Sequence, residues 1–197
     1  MTSGRWLCVI VGACLMCLTA GVAAEVIEET FDDGAARWEP VQGEWRVEDG
    51  AYLQTDASTP AYRYCVLDTP LREGSIEVSA TALERNDNGN VGASLGVVVK
   101  YIDEQNWCVA RFGSYGGCSV LISEAGERRR IGLGAFSPEV GRSYRVGAIL
   151  SDGLLAIVRE GVVIAIVEDP FAGQAGRAGL FTETRCSFDD VRIEAIE

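Results

Sequence analysis

The sequence predicts an all-β protein, a two-sheet antiparallel sandwich spanning residues 25–197. Three observations carry that prediction. Apolar and polar residues alternate with a period of two in run after run, as in Gly74-Ser-Ile-Glu-Val-Ser-Ala-Thr-Ala-Leu83, which is the pattern of half-buried strands. Asp-Gly and Gly-rich breaks, Asp49-Gly50 and Asp152-Gly153 among them, separate the runs as hairpin turns do. Beyond residue 24 no segment sustains the 3.6-residue apolar repeat of a helix.

Taken in order, the chain starts MTSGRWLCVIVGACLMCLTAGVAAEV. A basic Arg5, an apolar run from Trp6 to about Leu18 and a small-residue exit at Val22-Ala23-Ala24 read as a secretory signal over residues 1–24. The run is short for a membrane span. An uncleaved anchor and a lipid attached at Cys14 are the alternatives. Cleavage after Ala24 implies export, to the periplasm or outside the cell, with no remaining membrane insertion.

Next come a strand over Val26–Phe31, a turn at Asp32-Asp33-Gly34, and strands over 43–48 and 51–54 hinged at Asp49-Gly50. Runs at 62–67 and 74–83 alternate, and RNDNGNVG over 85–92 is a polar loop. Ala93–Tyr101 reads as buried throughout, and Ile102–Asn106 turns it into Trp107–Phe112. The Gly-rich 113–117 segment leads to Cys118–Ser123, and Glu124-Ala125-Gly126 turns back into Arg128–Leu133. Phe136–Gly141 is an irregular connector. From Arg142 to Ile193 short β-branched runs alternate with Gly turns, with room for one helical turn near Pro170-Phe171-Ala172. That makes about thirteen strands with no long linker, one sandwich rather than two domains.

The chain carries a formal net charge of −12, which argues against nucleic acid and anionic membranes, since phosphate binding depends on clustered Lys and Arg. The one dense basic run, Arg128-Arg129-Arg130, lies beside Glu124 and Glu127 and reads as a solvated hairpin edge. Four cysteines follow the signal segment, Cys65, Cys108, Cys118 and Cys186. An even number in an exported domain suggests two disulfides, and the absence of a C-x2-C knuckle argues against zinc. Cys108 and Cys118 fall on apolar faces of adjacent predicted strands, which favours Cys108–Cys118 with Cys65–Cys186. Reduced thiols in the core are the alternative.

The order of several motifs resembles the concanavalin A-like (laminin-G-like) jelly-roll domains. Phe31-Asp-Asp-Gly34 is followed by Trp38 and by Gly43-x-Trp45-x-Val47-x-x-Gly50. Later come Gly96-Val-Val-Val-Lys-Tyr-Ile-Asp-Glu-Gln-Asn-Trp107, Gly176-x-x-Gly-Leu180 and Phe188-Asp-Asp-Val191. The resemblance covers residues 26–195 and extends to secreted bacterial domains related to the 3-keto-disaccharide hydrolases and family 16 glucanases. It implies two antiparallel sheets, one of them concave with a face that often holds sugars. It also implies that the first and last strands are neighbours, where calcium can tie the termini together. Asp32 and Asp189 would then be the hard oxygen ligands; the break in alternation at Phe188-Asp-Asp-Val191 suggests a bulge that could aim one Asp inward. Capping of a turn and a solvated edge are the other readings of these aspartates.

Catalytic chemistry is thinly supplied. The chain has no histidine, which removes Ser-His-Asp and Cys-His nucleophiles and His-bound metals. Its only lysine is Lys100 and no phosphate-loop motif occurs, so nucleotide chemistry has no basis. Family 16 glucanases carry E-x-D-x-x-E on one strand, and no Glu here has an Asp two residues later. No catalytic residue is assigned. Binding is easier to provide, because sugars stack on aromatics while polar side chains hold their hydroxyls. Tyr62 and Tyr64 share one strand face, Trp107 and Arg111 share another, and Tyr101 and Tyr115 lie near by in the chain. For each of these, filling the sandwich is the competing role. The sequence therefore predicts a secreted, non-catalytic, lectin-like domain for a polysaccharide or glycan. The alternatives are a glycan-processing enzyme of the 3-keto-disaccharide hydrolase type and a structural envelope or matrix domain with a protein partner.

Overall fold

The computed structural model describes residues 25–56, 62–86 and 92–196. The signal-segment expectation, Cys14 included, falls outside the described residues. Within them the chain forms fifteen strands and no α-helix. They are β1 (Glu25–Glu29), β2 (Trp38–Gln42), β3 (Trp45–Glu48), β4 (Ala51–Gln54), β5 (Arg63–Leu71), β6 (Glu73–Ala82), β7 (Ser94–Asp103) and β8 (Asn106–Gly113). The series continues with β9 (Gly117–Glu124), β10 (Glu127–Gly134), β11 (Ser143–Ser151), β12 (Leu154–Arg159), β13 (Val162–Glu168), β14 (Gly176–Thr182) and β15 (Cys186–Ile196).

All strand pairs are antiparallel. One sheet has eight strands in the order β13-β12-β11-β6-β15-β4-β3, with β1 also on β15. The other has seven, in the order β10-β9-β8-β7-β14-β5-β2. The first strand does lie against the last, with Glu25 opposite Ala195, and a register shift follows Asp189 in β15. Asp190 sits there with φ +47°, so the broken alternation marks a real bulge.

The hairpin turns follow their sequence signals. Asp49-Gly50, Ala125-Gly126, Asp152-Gly153 and Glu160-Gly161 all have positive φ at both residues. Left-handed φ at both central residues is what a two-residue turn needs to match the right-handed twist of its strands, and glycine supplies its half without steric cost. One strand has no counterpart in the sequence reading. β2 carries Pro40 at its centre, and it is tolerated because β2 is the outermost strand of its sheet, where a missing N–H removes no ladder bond.

Between the sheets lies a core of alternate side chains. In β6 every second residue is buried, ending in Ile76, Val78, Ala80 and Ala82. At the N-terminal end Phe31, Trp38 and Tyr52 meet with centroids 5.2–6.3 Å apart, and Trp45 packs on Tyr52 and Phe188. Lys100 is wholly buried; its ammonium donates to Asp169 Oδ2 at 2.6 Å and to the Phe171 carbonyl at 3.0 Å. The β13–β14 connector is pinned there, where residues 170–173 form the short turn for which the sequence leaves room.

The four cysteines among the described residues, Cys65, Cys108, Cys118 and Cys186, are free and buried, which corrects the disulfide expectation. In the β8–β9 hairpin Cys118 stands opposite Phe112 and Cys108 opposite Ile122. The two are four residues out of register, about 13 Å along the strands, and Cα atoms more than about 7 Å apart cannot be bridged. Cys65 and Cys186 stand in the core on different sheets, likewise as thiols. Burial raises the pKa of every one of the four, so they remain protonated and act as small core residues.

Candidate functional site

β7, β8 and β9 are buried on both faces. The inner face meets the other sheet; the outer face is covered by its own side chains. Register determines which residues meet there, since residues opposite each other in an antiparallel pair point to the same side. Trp107 stands opposite Tyr101 on β7 and Ser123 on β9, and Tyr64 opposite Phe181. Around them pack Val66, Val98, Val109 and Leu121, forming a cluster separate from the inter-sheet core, with Val41 and Tyr62 against it.

The rings interlock. Tyr62 meets Trp107 edge-on at 5.7 Å and Phe181 at 5.7 Å; Tyr64 meets Tyr101 at 5.7 Å and Trp107 at 6.3 Å. Over this layer lies Arg128, its guanidinium carbon 5.3 Å from the Tyr62 centroid and 5.7 Å from that of Trp107. Arg177, ion-paired with Glu39, lies over Tyr101 at 5.4 Å. Burial pushes the Tyr64 hydroxyl up, with Arg128 partly offsetting it. The Tyr101 hydroxyl is also raised, chiefly by burial and the nearby Glu104. Both phenols thus stay neutral near pH 7 and can donate to a ligand hydroxyl.

Hydrogen bonds hold one border of the cluster rigid. Asp103 Oδ1 accepts from the backbone N–H of Gln105 (2.8 Å) and of Asn106 (2.9 Å). Asn106 Oδ1 then accepts from the Ala125 N–H at 2.9 Å, and Ser123 Oγ donates to the Gln105 carbonyl at 2.8 Å. The turns after β7 and after β9 are in this way tied together beside Trp107.

Four of the six expected binding residues, Tyr62, Tyr64, Tyr101 and Trp107, therefore form one group. Arg111 shares their face but lies four residues along β8, about 13 Å from Trp107. Its Nε pairs with Glu183, while Nη1 donates to the carbonyls of Tyr115 (3.0 Å) and Gly117 (3.2 Å). Arg111 is thus a clamp on the 113–117 loop. Tyr115 is 43% exposed at the far end of the hairpin, beside a cleft of about 550 Å³ lined by Ser114, Gly116, Gly117 and Phe136. Trp107 differs from expectation in another respect. It is only 3% exposed, so its ring lies beneath the surface layer, and its indole N–H is buried without a partner.

The sequence reading missed Arg128, which it placed on a solvated edge, and Arg177. The signal for Arg128 was a three-arginine run in a chain of net charge −12; what it lacked was the register that places Arg128 opposite Ser123, on the aromatic side of the sheet. Asp32 accepts from Thr30 Oγ1 at 2.9 Å and Asp189 from the Asp190 N–H at 2.7 Å. Among the described residues no group of three Asp, Glu, Cys or His side chains converges as a metal site. Beside the bulge, Arg145 donates to the Asp190 carbonyl.

No protein-family model matches this chain, and no curated protein matches it in sequence. Solved structures do match it in shape. The carbohydrate-binding module CBM66 from Bacillus subtilis superposes with TM-score 0.67 at 14% identity, over 79% of this chain and 93% of that one. A Crh5 transglycosylase in complex with NAG gives 0.62 at 14% identity, over 90% and 86%. A Bacillus licheniformis β-glucanase gives 0.60 at 9% identity, over 87% and 98%. The chain has the concanavalin A-like jelly-roll sandwich fold.

Proposed function

We propose that this protein is an exported, non-catalytic carbohydrate-binding domain comprising residues 25–197, and that it holds a glycan on the outer face of the seven-stranded sheet. The observation that carries the reading is the aromatic layer of Tyr62, Tyr64, Tyr101 and Trp107 lying outside the inter-sheet core. A sandwich needs one buried face per sheet; a second apolar face, rimmed by arginines, is the composition of a sugar site. The shape neighbours support the ligand class, since they include a carbohydrate-binding module and two glycan-acting enzymes. Two carboxylates at the borders of this face are engaged in ion pairs. Glu183 is paired with Arg111 and Glu39 with Arg177, so neither is available as the acid or base that glycoside hydrolysis needs.

The test is binding of the purified protein to a broad glycan and polysaccharide array, in calcium and in chelator, alongside Tyr62→Ala. Tyr62 is the partly exposed ring of the layer, so its loss should weaken binding at least tenfold with the fold intact. Absence of saturable binding to any glycan under both conditions would sink the reading. Release of reducing ends from a bound glycan would replace it with the enzymatic alternative. Binding that needs calcium would make Asp32 and Asp189 the first residues to substitute.

A further inference from the structure

Many arginines of this chain are held by a carboxylate. Arg63, Arg111 and Arg177 are each paired with a carboxylate, on Asp56, Glu183 and Glu39. Arg128 and Arg130 project from β10 on the aromatic side of the sheet, opposite Ser123 and Leu121. Among the described residues neither is ion-paired; Arg128 lies over the Tyr62 and Trp107 rings and Arg130 donates to the Gly116 carbonyl. In a chain of net charge −12 acidic partners are plentiful, yet none forms an ion pair with these two.

Protection of a sheet edge is the other reason to put arginines there, since charge discourages strand-to-strand aggregation. The opposite sheet argues against it. Its terminal strand β13 reads VVIAIVE, has no basic residue, and leaves Val162 61% and Ile166 62% exposed. A cationic edge is therefore not something this fold requires.

We propose that the glycan bound on this face carries a carboxylate, a uronic acid residue on an otherwise neutral chain, and that Arg128, with Arg130 beside it, recognises that group. The proposal rests on the sugar-binding reading above. A guanidinium lying over aromatic rings is held in place and keeps its N–H donors for a partner at its edge, where a planar carboxylate fits two at once. A dense polyanion fits poorly. Glu124 and Glu127 line a cleft with Arg128, Glu104 stands near Tyr64 and Tyr101, and the chain's overall charge repels it.

The test compares matched ligands by calorimetry: a neutral xylo-oligosaccharide and the same oligosaccharide bearing one glucuronate branch. The acidic member should bind roughly tenfold more tightly, the worth of one charge-assisted pair, and Arg128→Gln should bring the ratio to about one. Arg130→Gln, remote from the two rings, should reduce the ratio less and serves as a second variant; thermal melting confirms that both fold. Equal affinity for both ligands would overturn the carboxylate assignment and leave sugar binding standing. Failure of both ligands, together with an empty glycan array, would overturn sugar binding itself. A sulfated analogue bound as well as the uronate, or a single-stranded oligonucleotide bound more tightly, would also overturn the assignment.

Discussion

β8 is a single strand with two buried faces, and they are buried by different means. Its inner face presents Cys108, Ala110 and Phe112 to the opposing sheet, in the inter-sheet core. Its outer face presents Trp107 and Val109 beneath Tyr62, Tyr64 and Arg128. By accessibility alone the faces are indistinguishable. The inner one is closed by backbone-anchored strands that cannot part without unfolding. The outer one is closed by side chains, and side chains in contact with solvent change rotamer in pico- to nanoseconds. A ligand can displace the second cover and not the first.

The contrast is broken most directly by truncating each face in turn. Phe112→Ala opens a cavity between two sheets that cannot collapse, and should cost about 3–5 kcal/mol. Trp107→Ala removes a larger ring, yet Tyr62 and Arg128 can settle into the gap, so the expected cost is roughly 1–3 kcal/mol. Urea unfolding of the two variants gives both values. If Trp107→Ala proves the costlier, the outer cover is as rigid as the inner one and the distinction between the faces fails.

Lys100 sharpens the comparison from within the inner face. It stands opposite Cys108 with its charge buried against Asp169. Such a pair is weak evidence of stabilisation, but removing one partner strands the other. Lys100→Met should therefore destabilise by about 3 kcal/mol, while Lys100→Met with Asp169→Leu should recover much of the loss. On the outer face, by contrast, Arg128→Gln strands no partner and should leave the unfolding midpoint nearly unchanged. A double variant no better than the single one would show that the pair is not what holds the β13–β14 connector.

How much of this was legible in the sequence depends on the range of the interaction. Turns are local, and each X-Gly pair with positive φ was visible as a dipeptide. Alternation is local too, so β6 and β15 were readable. β2 was not, because Pro40 contradicts the propensity of a strand and is excused only by an edge position that the whole sheet defines. Register is non-local. The proposed Cys108–Cys118 bridge failed through four residues of register, and Arg128 was assigned to solvent because nothing near it in the chain says that Tyr62, Arg63's neighbour far upstream, lies beneath it. The grouping of Tyr62, Tyr64, Tyr101 and Trp107 was half legible: period two paired the two tyrosines, and only the β5-β14-β7-β8 order brought Tyr101 and Trp107 to them.

The smallest effect concerns the rigid border of the outer cluster. Asp103 is fully exposed, and the Asn106 side chain, followed by backbone N–H donors, holds its carboxyl below the usual range. A carboxyl with a lowered pKa in the folded state stabilises the fold above its unfolded pKa, near 4, and loses that contribution as pH falls through the folded value. Asp103→Ala should accordingly lower Tm slightly at pH 7, and the gap from the parent should close as the pH falls through the lowered folded-state value. The same variant should blunt glycan binding more than it lowers Tm, because Asp103 orders Gln105 and Asn106 and, through them, the β9–β10 turn that leads directly into Arg128. A gap in Tm that is constant with pH would mean that the loss is one of turn packing and that the carboxylate's charge has no part in it. In that case the border of the site is held by Asn106 and Ser123 alone, and Asn106→Ala becomes the variant that separates order at the turn from recognition by the arginine.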